Sequence, residues 1–287
     1  MSKKQRYFCK DCKCYFQSVP RPEKLEQIIF ERYVNQRQTL RDLASEYDKS
    51  INWVRDKISA AKALKKDVKP DGYTFVADAT YFDRTYGFLI YRIPEIKKNV
   101  YFTSIMYESI YEYQKGRIKV QNQGFKIRAV TLDGRPGVRN LFSDIPVQMC
   151  HFHQNQTIRR HLTGNPILGA GIELKAITDT LTYAAEEEFT AKFTTWCNKW
   201  DTFLKERTTN PITGRWCYTH KRVRSARRSL KNNLPFLFTY LKYPELNIPN
   251  TTNSLDGSFT WLKQKLGIHR GYTGELRDKI IEHILGS

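Results

Sequence analysis

The hydrophobic period of residues 73–151 changes in an order that few folds can accommodate. Three β-rich runs come first, at 73–82, 87–93 and 100–107, separated by turn-like or polar segments. Short runs of this kind predict an antiparallel meander. Ser109-Ile110-Tyr111-Glu112 then reads as a capping box, in which a hydroxyl and a carboxylate satisfy the first backbone donors of a helix. That helix should run to about Asn122, with Gly124 as its stop. A buried strand at 125–132 ends at Asp133-Gly134, and a short helix near 138–142 and a strand near 147–151 follow.

Three strands, a helix, a strand, a helix and a strand is the order of the ribonuclease H-like fold. On this reading Asp78 lies in the first strand and Asp133 just past the fourth. A third carboxylate, Asp256, opens a later amphipathic stretch that reads as a helix. Two strand-end carboxylates and one helical carboxylate suit a two-metal phosphodiester site, because Mg²⁺ takes oxygen ligands and two such ions must be held close together. If the fold does not gather them, they are ordinary solvent-facing aspartates.

The 287 residues leave room for two or three domains, and 40% hydrophobic content can form a sizeable core. The formal net charge is +19. Such an excess of Lys and Arg points to a polyanionic partner, since cations that neutralise phosphates release condensed counterions. Ribosomal-type and anionic-membrane proteins share that charge. A membrane reading needs a basic helix with a free apolar face, whereas the helical patterns here commit theirs to a core. No run of 18 apolar residues occurs, and MSKKQRYFCKDC lacks the apolar stretch of a signal peptide. The expectation is a cytoplasmic, nucleoid-associated protein that binds double-stranded DNA and no membrane, with RNA as the competing polyanion. The six cysteines are too scattered for a disulfide framework.

Residues 1–20 carry Cys9-Lys10-Asp11-Cys12, one zinc knuckle of the ribbon type. A closed zinc site needs four ligands, and a ribbon supplies two such pairs. Zinc at Cys9 and Cys12 is therefore not expected from this segment alone; a longer N-terminus or a partner would have to complete the site. Residues 21–66 read as a helix-turn-helix domain. Pro22-Glu23 opens a first helix with Leu25, Ile28, Ile29 and Tyr33 on one face. Thr39-Leu40-Arg41-Asp42 resembles a capping box with Asp in place of Glu. After a turn at 48–50, a third helix should turn Ile51, Val54, Ile58 and Ala61 inward. The second helix of such a pair can lie in the major groove, which would leave Asn52, Trp53, Arg55 and Lys62 for DNA. A plain three-helix bundle has the same pattern.

A polar connector at 65–72 precedes the catalytic domain, whose first part is 73–163. Residues 164–250 show helical spacing and no convincing strand, so they read as an all-helical insertion. From Arg215 to Lys231 there is no acidic residue, and Arg224, Arg227, Arg228 and Lys231 share one helix face. Four cations on one face repel one another unless an anion lies against them, so phosphate contact is expected. A merely solvated face would carry carboxylates as balance. Residues 251–287 close the catalytic domain with the Asp256 helix, capped by Thr252 or Asn253, and a last helix at 276–285. The expected fold class is α/β: a ribonuclease H-like mixed sheet interrupted by a helical insertion and preceded by a helix-turn-helix domain.

These features resemble the Mutator-like transposases of bacterial insertion sequences, within the DDE/D superfamily. The resemblance rests on two stretches. One is Cys150-His151-Phe152-His153-Gln154, a C-x-x-H pattern after the second acid. The other runs from Ile248-Pro249-Asn250-Thr251-Thr252-Asn253 through Asp256, Phe259 and Leu262-Lys263 to His269-Arg270-Gly271. The resemblance implies a transposase acting at least as a homodimer. Two Mg²⁺ or Mn²⁺ ions on Asp78, Asp133 and Asp256 would activate water to cut a transposon end, and the freed 3′-hydroxyl would attack target DNA. The family's third acid is usually Glu; Asp256 is one methylene shorter. A catalytically inactive, domesticated DNA-binding derivative is the alternative.

Cys150 and His153 read as supporting residues, a packed thiol and a histidine that positions a carboxylate or the DNA; zinc binding and a Cys–His nucleophile are the other readings. Asp256 could instead be a helix N-terminal charge that favours the dipole. Asp83 and Asp144 are not expected as ligands. His269 and Arg270 are candidate phosphate contacts.

Overall fold

The computed structural model describes residues 7–16, 25–36, 38–63, 68–268 and 274–286. They fall in two units, Met1–Asp67 with Thr260–Ser287, and Val68–Phe259. Among the described residues no helix is long and apolar enough to cross a membrane.

The chain opens with a small antiparallel hairpin of Tyr7–Phe8 (β1) and Tyr15–Phe16 (β2). Three helices follow: Leu25–Asn35 (α1), Leu40–Tyr47 (α2) and Ile51–Ala60 (α3). The start of α2 is fixed as its sequence predicts. Thr39 accepts from the Asp42 N–H, while the Asp42 carboxylate accepts from the Thr39 N–H. Asp48 ends α2 in the left-handed conformation, and Ser50 caps α3. The inward set differs slightly from expectation. Val54, Ile58 and Ala61 are buried, but Ile51 is exposed, because it sits in the first turn ahead of the packed face.

The second unit is built on a five-stranded mixed sheet. Its strands are Gly72–Tyr81 (β3), Gly87–Ile93 (β4), Lys98–Ile105 (β5), Lys126–Leu132 (β6) and Val147–Met149 (β7), in spatial order β5-β4-β3-β6-β7. The β3–β4 and β4–β5 pairs are antiparallel, and β3–β6 and β6–β7 are parallel. This mixed sheet with interspersed helices is consistent with a ribonuclease H-like core. β4 is buried along its whole length, as a central strand covered on both faces must be. Ile110–Asn122 (α4) joins β5 to β6, with Ser109 as its N-cap and Gly124 at φ 87° after its end. Pro136–Asn140 (α5) joins β6 to β7. On one face of the sheet Phe75, Ala77, Leu89, Tyr91, Val130 and Leu132 pack with Tyr113 and Val120 of α4.

After β7 come His151–Leu162 (α6), Gly169–Asp179 (α7), Glu186–Lys199 (α8) and Asp201–Lys205 (α9). The expectation of no strand in this region is corrected by a hairpin of Arg207–Thr209 (β8) and Trp216–Tyr218 (β9). Three-residue strands are too short to show alternation in sequence. Lys221–Leu237 (α10) and Thr239–Lys242 (α11) follow. Leu174, Phe189, Phe193, Trp196, Val223, Ala226 and Leu230 share a second core there. Asn253–Ile268 (α12) and Glu275–Gly286 (α13) end the chain. Within the first unit α13 closes on α1 and α3: Phe30 meets His283 at 4.9 Å between ring centroids, and Lys279 Nζ donates to the carbonyls of Ile58 and Ser59. A cation there satisfies acceptors that the end of α3 leaves open.

Gly116 is where α4 meets the sheet. A Cβ at this position would stand 2.4 Å from Tyr91 Cε2, and the Tyr91 hydroxyl donates to the Tyr113 carbonyl at 2.5 Å. Mid-helix Gly→Ala ordinarily adds up to ~1 kcal/mol of stability, whereas overpacking a core costs about 1–3 kcal/mol. Gly116→Ala is therefore expected to lower Tm in thermal unfolding. A raised Tm would contradict the Tyr91 contact.

Candidate active site

Two parallel strands position the first two acids. In the β3–β6 register Ala77 stands opposite Leu132. One step further sets Asp78 beside Asp133, the residue that follows β6. Ala77 and Leu132 both face the core beneath α4. Side chains alternate along a strand, so Asp78 and Asp133 face the opposite side of the sheet. On that side α6 brings His153 Nε2 to 3.9 Å from Asp78 Oδ2.

Asp78 is only 6% exposed. Burial is the main reason its pKa is pushed up to about 7. The His153 charge and the Ala79 N–H, 2.8 Å from Oδ1, pull it down, while Asp133 and Asp256 push it up. Both of the other acids thus act on Asp78. Burial alone would lower the pKa of His153, but its interaction with Cys150 and the charges of Asp78 and Asp133 carry it up to about 9. Near neutral pH His153 is therefore an imidazolium beside an Asp78 carboxyl poised between its acid and carboxylate forms.

The third acid arrives by a strap laid over the same face. Thr74 Oγ1 donates to the Leu246 carbonyl and Thr131 Oγ1 to that of Pro249, each at 2.7 Å. The His151 N–H donates to the Asn250 carbonyl at 2.9 Å. Cys150 is fully buried, and its Sγ accepts from the Thr252 N–H at 3.3 Å. Thr252 Oγ1 lies 3.4 Å from that sulfur and donates to Asp256 Oδ2 at 3.3 Å. A chain of contacts therefore joins the first turn of α6 to the first turn of α12. Under the Asp133 turn, Arg139 Nη1 donates to Asn233 Oδ1 at 2.5 Å, and Asn233 Nδ2 donates to Gln154 Oε1 at 2.7 Å. The role of Asn233 escaped the sequence reading, since nothing local marks it; the C-x-x-H and TTN patterns did flag the residues around Cys150 and Thr252.

The remaining candidates are distributed differently. Asp83 accepts from the Thr85 N–H within its own turn, and Asp144 pairs with Arg117. On α3, Asn52 and Arg55 are exposed and bond each other at 3.3 Å, and Lys62 just beyond is exposed. Trp53 is half-buried, 6.1 Å from the Tyr47 ring. On α10, Arg224, Arg227, Arg228 and Lys231 line one cavity of about 180 Å³. The expected absence of balancing acid is corrected in part. Arg227 lies 3.6 Å from Asp201, a carboxylate that α9 supplies from outside the acid-free stretch. Arg224 packs over Tyr218, 3.4 Å from its ring centroid. Arg228 and Lys231 are exposed. His269 and Arg270 lie outside the described residues. Cys9 and Cys12 flank a tight turn, closed by the Cys9 N–H donating to the Cys14 carbonyl at 2.9 Å. The backbone N–H of Cys12, then its side chain, holds the Cys9 thiol below its usual pKa.

Among the described residues, no three His, Cys, Asp or Glu side chains are drawn close enough together to hold a metal ion. The donor chemistry of Asp78, Asp133 and Asp256 nevertheless fits a hard divalent cation, which prefers carboxylate oxygen. A buried carboxylate that favours its neutral form is also a place where added positive charge is stabilising.

No protein-family model matches the chain, and no curated protein matches it. Among solved structures, a chain of the Drosophila P element transposase strand transfer complex is similar at 11% identity and a TM-score of 0.36, covering 93% of each chain. A chain of the simian T-cell lymphotropic virus intasome in complex with PP2A regulatory subunit B56 gamma is similar at 7% identity and a TM-score of 0.23, covering 68% of this chain and 73% of that one. At these values the likeness bears on neither activity nor partners.

The raised pKa of Asp78 has a thermodynamic sign. Its neutral form is bound more favourably in the folded state, so this contribution is complete below its usual value of 3.8 and lost as pH rises through about 7. A shift of this size corresponds to roughly 4 kcal/mol. His153 contributes in the same direction, its stabilisation present below 6.5 and lost as pH rises through about 9. Asp78→Asn, which mimics the neutral acid, should leave Tm little changed near pH 5 and raise it near pH 8. Thermal unfolding at the two pH values checks this. A variant less stable near pH 8 would contradict the assigned burial cost.

Proposed function

We propose that this chain is a DNA transposase that cuts the ends of a mobile element and joins them to target DNA, with Asp78, Asp133 and Asp256 as its catalytic carboxylates. The observation that carries the reading is the β3–β6 register, which sets Asp78 beside Asp133 on the face where the charge of Asp256 is also felt. The finer assignment, to the Mutator-like transposases of bacterial insertion sequences, is supported by the C-x-x-H stretch at Cys150–His153 and by the TTN segment that leads to Asp256. Both stretches meet at the Cys150–Thr252 contact.

Magnesium or manganese ions held by the three aspartates would activate the attacking oxygen and stabilise the leaving one. The chain's own residues prepare that site. His153 opposes the burial of Asp78 and keeps more of it ionised near neutral pH. The Thr252 hydroxyl holds Asp256 by one oxygen. Duplex DNA is the substrate class supported by the +19 charge, by Asn52, Arg55 and Lys62 at the α3 end of the helical unit, and by the cationic cavity on α10. Strand transfer joins two element ends, which calls for at least two copies of the chain.

The second reading is a DNA-binding protein that has lost cleavage. It is favoured by the shorter third acid and by the three carboxylates not closing on a common point. A cleavage assay on labelled element ends with Mg²⁺ or Mn²⁺ separates the two. Asp78→Ala and Asp133→Ala are each expected to lower cleavage by roughly 10³-fold or more, an order typical of removing an essential catalytic group, while DNA binding persists. Wild-type cutting should rise with pH through about 7 as Asp78 ionises. Tight binding by the wild type without any cutting would favour the inactive reading.

The cationic face has its own test. Arg228→Ala and Lys231→Ala should each weaken duplex binding regardless of sequence and reduce the slope of log K against log salt by about 1. An unchanged slope in a filter-binding or anisotropy series would remove α10 from the DNA interface.

A further inference from the structure

The β8–β9 hairpin is exposed in a way the second core does not explain. Trp196 of α8 is 2% exposed, whereas Trp216 is 52% and Ile212 at the hairpin tip 92%. A two-stranded hairpin with three-residue strands has little stability of its own, and this one is held from its base. The Thr219 N–H donates to the Glu206 carbonyl at 3.0 Å, and Thr208 and Thr219 hydroxyls bond at 2.8 Å. His220 stacks on Phe203 at 3.6 Å and contacts Glu206 at 2.8 Å. At the tip, the Asn210 side chain accepts from the N–H groups of Ile212 and Thr213. The chain thus fixes in place an indole that it leaves half in water.

The exposed indole belongs to a ladder of alternating rings and cations. The Arg207 guanidinium stands 4.0 Å from the Trp216 ring centroid and 5.7 Å from that of Tyr218. Arg224 covers Tyr218 at 3.4 Å and also lines the α10 cavity with Arg227, Arg228 and Lys231. Arg207 covers one face of Trp216 and Tyr218 meets it edge-on at 5.4 Å between ring centroids, yet about half of the indole stays exposed to another flat group. A ring platform continuous with a row of cations matches a single strand of nucleic acid, in which bases stack on aromatic faces and phosphates meet Arg and Lys. Ile212 is the hairpin's one exposed large aliphatic group among the described residues, but the groups that meet the Trp216 ring are Arg207 and Tyr218, and Glu206, the hairpin's acidic neighbour, is engaged by His220.

We propose that the β8–β9 hairpin is a platform for an unpaired DNA base, which stacks on Trp216 while the adjoining backbone runs to the α10 cations. The proposal rests on the reading of this chain as a DNA-processing enzyme, but not on its ability to cut.

The test uses the full chain without divalent cation. The probes are a DNA duplex with one unpaired 2-aminopurine and the same duplex fully paired. Wild type and Trp216→Phe should quench the unpaired 2-aminopurine, and Trp216→Ala should not. Trp216→Ala should also lose about 10-fold in affinity for the unpaired probe, in line with removal of one base–aromatic stack, and stay within about 2-fold on the paired one. Equal losses on both probes would mark Trp216 as structural and overturn the proposal. No loss on either would also overturn it, as would tighter binding of the matching RNA strand. Because no cation is present, these outcomes do not depend on whether Asp78 and Asp133 support cleavage.

Discussion

The parallel pairing of β3 with β6 is the constraint on which the rest of the site depends. It joins strands separated in sequence by β4, β5 and α4, and its register decides which residues share a face. A slip of one residue would turn Asp78 into the core beneath α4 and bring a hydrophobic neighbour to the surface. The buried run of β4 on one side and the short β7 on the other hold β3 and β6 at the centre of the sheet. Once the register is set, α6 and the strap at 246–252 have only one face to cover. Thr74 and Thr131, both on that face, supply hydroxyls that hold the strap down.

The site that results concentrates negative charge in a strongly basic protein. Asp78 is buried, and the two other acids raise the cost of ionising it. His153 offsets part of that cost, and its own elevated pKa is the counterpart of the same arrangement. Arg139 is likewise buried, yet it bonds Asn233 and stands over the Phe236 ring, so it stiffens the turn after Asp133 without neutralising the acids. Negative charge thus remains available to an incoming cation, while exposed Arg and Lys on α10 and beyond α3 face outward toward solvent.

Much of the sheet was legible in the sequence because its signals are local. The β-rich runs of β3 and β4 and the capping residues Thr39 and Ser109 act within a few positions of themselves. Gly124 marks the end of α4 for the same reason, since its φ of 87° disfavours other residues. What was not legible depends on partners far along the chain. The packing of α13 against α1 and α3 needs Lys279 to find the end of α3. The hairpin of β8 and β9 is invisible to periodicity, and its strands are held by Glu206 and Thr219 rather than by apolar alternation. In the site, the placement of Asp133 just after β6 could be read locally, whereas Asp78, expected at a strand end, lies inside β3 with three paired residues beyond it, and the Cys150–Thr252–Asp256 contacts and the Arg139–Asn233–Gln154 chain could not be read at all. The cationic face of α10 was legible as a stripe; the acid that answers Arg227 was not, because it lies on α9.

Manganese binding by the full chain without DNA bears most directly on the claim that these carboxylates serve one site. Electron paramagnetic resonance of free Mn²⁺, followed in a titration near pH 8 where Asp78 is ionised, would be compared for wild type, Asp78→Asn and Asp133→Asn. Saturable uptake by the wild type that weakens in each variant is the expected result. Uptake that is the same in all three proteins would contradict a shared metal site at Asp78 and Asp133.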